Sequence, residues 1–68
     1  MIVNKEALTN ARYEKGYTTV DASIKSGIAR LTLHRLENGI VKKPNANTLK
    51  KLSILYGVDV LNFMKEGD

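Results

Sequence analysis

Cysteine is absent from this 68-residue chain, so no disulfide can staple it and no thiolate can hold a metal. Histidine occurs once, at position 34, which leaves too few ligands for a metal site and no nucleophile–base–orienter set. No glycine-rich phosphate loop is present. Apolar runs stay far below the ~18 residues that a bilayer span needs. Met1-Ile2-Val3 is too short for the apolar region of a signal peptide, so the chain reads as cytoplasmic and without a membrane partner. Proline occurs once, at Pro44, and neither a repeat nor a low-complexity tract marks a linker. These absences set aside enzymes, metal or cofactor carriers and membrane proteins, and leave one domain over residues 1–68.

What remains must hold by packing alone or with a second subunit, because a domain of this size buries only about 60% of the surface its unfolded chain exposes. Apolar residues make up 43% of the chain, enough for one core. The net charge of +4 is unevenly spread. From Lys25 to Lys51 the chain carries Lys25, Arg30, Arg35, Lys42, Lys43, Lys50 and Lys51 against a single acid, Glu37, so that window holds +6 and the remainder −2. A basic centre in a mildly acidic chain is the footprint of a polyanion-binding face; evenly scattered lysines would only solvate the surface.

Gly16, Gly27, Gly39 and Gly57 each follow a segment with helical spacing. Glycine past such a segment is the usual helix stop, and these stops predict about five short helices in an all-α fold. Asn4 is placed to cap the first helix, stapled by Val3 and Leu8, which ends near Lys15-Gly16. Thr18 or Thr19 caps the second, which runs through Ser26. Ile28 or Ala29 begins the third, which runs through Leu36 to Asn38. Beyond the breaker Gly39–Pro44, Asn45 or Asn47 caps the fourth, whose stripe Leu49, Leu52, Leu55, Tyr56 is amphipathic. Asp59 caps a fifth, with Val60, Leu61, Phe63 and Met64. Strands compete weakly, since alternation lasts only a few residues and Asn38-Gly39 lacks β-rich flanks.

Residues 19–38 have the layout of a helix-turn-helix. Ser23 is a small residue where the second helix crosses the first, and Gly27 tolerates the positive φ of a tight corner. Leu33 and Leu36, three apart, lock the second helix from behind, with Ile28 at the corner. Arg30, Leu31, His34, Arg35 and Asn38 are then left to project outward. A helix held by its back and presenting arginines is shaped for the DNA major groove, whose width admits one α-helix.

From about Leu8 to Met64 the chain resembles the phage-repressor/Cro-type helix-turn-helix family of bacterial and phage regulators, the xenobiotic-response-element-like proteins. The resemblance is carried by Arg12, Gly16-Tyr17-Thr18-Thr19, Gly27-Ile28-Ala29, Leu33-His34-Arg35-Leu36-Glu37-Asn38-Gly39, Lys43-Pro44, Thr48-Leu49, Leu52 and Leu55-Tyr56-Gly57-Val58. It implies a five-helix repressor-like domain that binds palindromic operators in double-stranded DNA, as a dimer. It implies base-edge contact from Arg30, Leu31 and Arg35; His34 is either a further DNA contact or an exposed bystander. Leu31 departs from the polar residue usual there, and either touches a thymine methyl or is tolerated at the rim. The resemblance places Thr19, Ala29, Asn38, Lys42 and Lys43 on the phosphate backbone. It pairs Arg12 with Glu37 as a structural ion pair, and an arginine on an apolar stripe has a physical motive to pair.

Val20 and Ile24 stand where relatives carry polar residues, while Ala22 and Ser26 stand where relatives are larger and apolar. Either the second helix packs differently, or Val20 and Ile24 form a patch for a protein partner. A weak homodimer is expected through Phe63 and Met64 or through the Ile40-Val41 loop. The leading reading is a sequence-specific transcriptional regulator, a repressor of phage or mobile-element type, with no cofactor. The alternative is an antitoxin or protein-interaction adaptor of the same fold.

Overall fold

Asn4 opens the first helix by accepting the amide of Ala7 at 3.2 Å. The computed structural model describes residues 1–67, and in it α1 runs Lys5–Lys15 behind that cap. Thr18 and Asp21 form a reciprocal box at the head of α2 (Thr19–Ser26): the Thr18 hydroxyl accepts from the Asp21 amide at 3.1 Å, and the Asp21 carboxylate accepts from the Thr18 amide at 3.0 Å. The third helix, α3 (Arg30–Glu37), starts at Ala29 with no side-chain cap. The fourth, α4 (Ala46–Tyr56), is capped by Asn45, whose oxygen accepts from the Thr48 amide at 2.8 Å.

The box at α2 predicts a pH dependence. Hydrogen bonds from Thr18 hold the Asp21 carboxyl below the ordinary carboxylate range. The folded state therefore favours the charged form. That contribution is complete above the unfolded carboxylate value of about 3.9 and is lost as pH falls through the lower folded value. Asp21→Asn is expected to remove this part of the acid-side loss in thermal melts run from neutral pH to about pH 2. Melts whose acid limb matches the parent protein would show that the box contributes nothing.

Every helix commits a few apolar residues to one core. Leu8 and Ala11 come from α1, Ala22 from α2, and Leu33 and Leu36 from α3, where the exposures are 1% and 0%. From α4, Leu52 and Tyr56 meet Phe63, with the two rings edge-on at a centroid distance of 6.1 Å. Burial pushes the Tyr56 hydroxyl up to about 12, helped by the nearby charge of Glu37.

The sequence expectation for the end of the chain changes. The fifth helix is a single 3₁₀ turn, Val60–Phe63, opened by Asp59 accepting the Leu61 amide at 2.9 Å. It stops because Phe63 is wholly buried and its carbonyl accepts the Asn4 amide at 2.7 Å, after which the chain turns extended. Met64–Lys65 forms β2, which pairs antiparallel with β1 (Ile2–Val3) in the register Ile2↔Lys65 and Val3↔Met64. The all-α class thus carries a minimal two-stranded ribbon, with strands too short to show any alternation.

At the corner of α2, Ala22 is fully buried and Ser23 is half-buried. Ser23 works across the corner: its hydroxyl donates to the Ile28 carbonyl at 2.6 Å, and the Ser26 hydroxyl accepts from the Ile28 amide at 3.1 Å. Between them, at Gly27, φ is +75°, a conformation that glycine adopts without strain. Of the two arrangements open for Val20 and Ile24, α2 takes the one that leaves them on the surface. Ala22 faces the core, which leaves Val20 44% and Ile24 77% exposed.

Candidate nucleic-acid interface

Helical geometry decides which side chains α3 offers. At about 100° per residue, positions 30, 34, 38, 31 and 35 fill an arc of roughly 140°, and positions 33 and 36 lie on the other side. Leu33 and Leu36 are buried, so the arc faces outward, and Arg30, Leu31, His34, Arg35 and Asn38 are all exposed. Among the described residues, the one ion pair is Arg12–Glu37, so no carboxylate engages either arginine of the arc. A guanidinium standing free on a helix ridge can make the two-pronged bond that guanine offers in the major groove.

The ends of the arc are less uniform. Asn38 folds back on its own helix: its amide group donates to the His34 carbonyl at 2.7 Å and lies 3.3 Å from His34 Nδ1. It thus serves as a C-terminal cap and braces the imidazole. Ala29 is exposed at the head of α3, where no side chain covers the first amides. Thr19 is half-buried in the first turn of α2, beside the Thr18–Asp21 box.

Beyond α3 the chain is pinned rather than loose. The Arg35 carbonyl accepts the amides of both Ile40 (2.9 Å) and Val41 (3.3 Å), and the Lys42 carbonyl accepts the Val3 amide at 2.7 Å. Val41 packs against the core and Ile40 stays exposed, so Lys42 and Lys43 stand on an anchored loop.

Arg12 and Glu37 clamp α3 to α1. Arg12 Nε is 2.9 Å from Glu37 Oε2, and its Nη2 is 2.8 Å from Oε1. Arg12 Nη1 donates to the Tyr17 carbonyl at 3.0 Å, and Thr9 adds a hydroxyl to Oε1 at 3.3 Å. Both side chains are 9% exposed. The bond to Glu37 raises the Arg12 pKa against the opposing effect of burial. One guanidinium therefore ties together α1, the α1–α2 corner and the last turn of α3.

A helix-turn-helix family model matches residues 11–63, from the clamp at Arg12 to the buried Phe63. The chain belongs to the phage-repressor/Cro-type helix-turn-helix family. It is accordingly a DNA-binding regulator of the Cro type, with double-stranded DNA as its partner. No curated protein matches it at a significant level. Among the described residues of this Cro-type protein, no helix is long and apolar enough to cross a membrane.

One proposed contact of this regulator has to be withdrawn. Phe63 lies at 0% exposure against Tyr56 and cannot offer its ring to a second copy, and Met64 is partly buried against the core. Sequence reasoning also passed over Lys5, whose side chain lies beside Gly39 at the end of α3. No local signal marks it, because it is one exposed lysine in an ordinary first helical turn.

Proposed function

We propose that this regulator reads a specific DNA sequence by laying α3 in the major groove, and that it acts as a repressor of phage or mobile-element type. The observation that supports this is the arc on α3: two unpaired arginines flank Leu31 and His34 on a ridge backed by buried leucines. Arg30, Leu31, His34 and Arg35 are assigned to base edges. Thr19, Ala29, Asn38, Lys42 and Lys43 are assigned to the backbone; of these, Asn38 would contribute the oxygen left over from its cap. The amides of Thr19 and Val20 have no partner among the described residues, which suits a phosphate at the head of α2. Since one recognition helix covers half of a typical operator, the protein is assigned as a weak homodimer on a palindrome. Of the two sites expected for that contact, the one at the exposed Ile40 is retained, since Phe63 is buried.

Selection from random duplexes, read by sequencing, tests the proposal: a palindromic consensus supports it, and an unenriched pool contradicts it. On the selected site Lys43→Ala is expected to weaken all duplexes about equally and to reduce the salt slope by about one. Binding titrations at several salt concentrations check this.

The exposure of Val20 and Ile24 favours a second reading, an antitoxin or adaptor that carries a protein partner on α2. Ile24→Asp separates the two. If it abolishes partner capture while DNA affinity stays intact, the face serves protein.

A further inference from the structure

The two ends of the described chain meet beside the loop that follows α3. β1 pairs with β2, and Val3 is tied to the Lys42 carbonyl at 2.7 Å. The backbone at Gly67 presses onto β1 so closely that a Cβ there would stand 2.7 Å from Ile2 Cδ1. This closure leaves a groove of about 180 Å³ walled by Lys5, Lys42 and Lys65, with Asn38 and Gly39 at its edge. The stem of Lys5 crosses Gly39, its Cδ 3.4 Å and its Nζ 3.7 Å from where a Cβ would sit.

Three lysines from three separate parts of the chain thus line one groove, alongside the apolar Ile2 and Val3, and among the described residues no carboxylate lines it. Lys5 also borders a neighbouring hollow with Glu6 and Glu37, but the Glu37 oxygens are already taken by Arg12 and Thr9. Like charges gathered with no counter-charge among the described lining residues repel one another and favour an anion between them. The described residues that line it include no aromatic face to stack a base and no guanidinium fork to read one. Lysines are point charges, suited to phosphate.

We infer that this groove seats the sugar-phosphate backbone beyond the C-terminal end of α3, with Lys5 and Lys65 as phosphate contacts beside Lys42. The inference rests on the DNA-binding reading above and extends it to the ribbon formed by the chain ends. The ribbon is then part of the DNA-binding surface as well as a closure of the fold.

The test compares Lys5→Gln and Lys65→Gln with the parent protein on the selected operator, by fluorescence anisotropy from roughly 0.05 to 0.3 M salt. Each lysine is exposed, and thermal melts verify that both variants remain folded. Each variant should lower the slope of log affinity against log salt by about 0.9, and weaken binding roughly four-fold at 0.2 M salt. The rank order of duplexes should not change. Slopes equal to the parent's, on a parent that binds and discriminates, refute the groove and leave the DNA reading standing; so does a changed rank order. A parent that binds no duplex at all refutes the DNA reading first, and this inference with it.

Discussion

Arg35→Ala is expected to bring a selected operator and its single-base-pair variant to nearly equal affinity, from a starting preference of roughly 5- to 150-fold. That range follows from the ~1–3 kcal/mol that a bidentate arginine–guanine contact contributes to discrimination. The variant is a clean one. The Arg35 carbonyl, which holds the amides of Ile40 and Val41, is untouched, and Leu33 and Leu36 still anchor the helix from behind. Non-specific affinity should fall far less, since it comes from the lysines of the following loop and groove. Competition titrations with the paired duplexes measure the ratio directly. If the starting preference persists in the variant, Arg35 is not a reader of bases.

The second large effect is on stability. Glu37→Ala strips the carboxylate from a guanidinium that is 9% exposed, leaving a nearly buried charge with the Tyr17 carbonyl and the Tyr13 ring, 4.7 Å from its centroid, but no counter-charge. Breaking such a pair on one side costs about 3–5 kcal/mol. At ~0.05–0.15 kcal/mol per residue, a chain of this length has only about 3–10 kcal/mol in total. The melting temperature should therefore drop by more than about 12 °C, and the unfolded fraction at room temperature should rise. Replacing both partners, Arg12→Met with Glu37→Met, should recover most of the loss, because two apolar side chains leave no charge uncompensated. Circular-dichroism melts of the three proteins decide the matter. A shift of only a degree or two for Glu37→Ala would mean that solvent already screens the pair.

Both effects trace to features of very different visibility. The arc on α3 is a local property: helical spacing puts residues 30, 31, 34, 35 and 38 together whenever 33 and 36 are buried. The clamp spans 25 residues of sequence, and nothing near Arg12 names its partner. It was Arg12's place on an apolar stripe, together with the family pattern, that pointed to Glu37. Other features were present in the sequence but hard to read. Ser23-Ile24-Lys25-Ser26-Gly27-Ile28 and Ser53-Ile54-Leu55-Tyr56-Gly57-Val58 share one device, in which a serine donates across the glycine to a carbonyl five residues on, at 2.6 Å in both. The repeated spacing was there to see, although serine before a helix stop has too many ordinary uses to single it out. Val20 and Ile24 could not be placed from the sequence. Apolar residues four apart suit either a repacked helix or an exposed patch, and only the structure shows that α2 turns the small Ala22 to the core.

What the order of residues specified unaided was the four α-helices, their caps to within a residue or two, and the outward arc of α3, since each depends on interactions reaching no further than about one helical turn. Tertiary structure decided the rest: that the last segment is a 3₁₀ turn and a strand, that Phe63 points inward, and that Lys5, Lys42 and Lys65 border one groove. Those outcomes depend on which distant segments share the core and close the ribbon. A stretch of four residues such as Val60–Phe63 carries too few hydrogen bonds of its own to resist that choice.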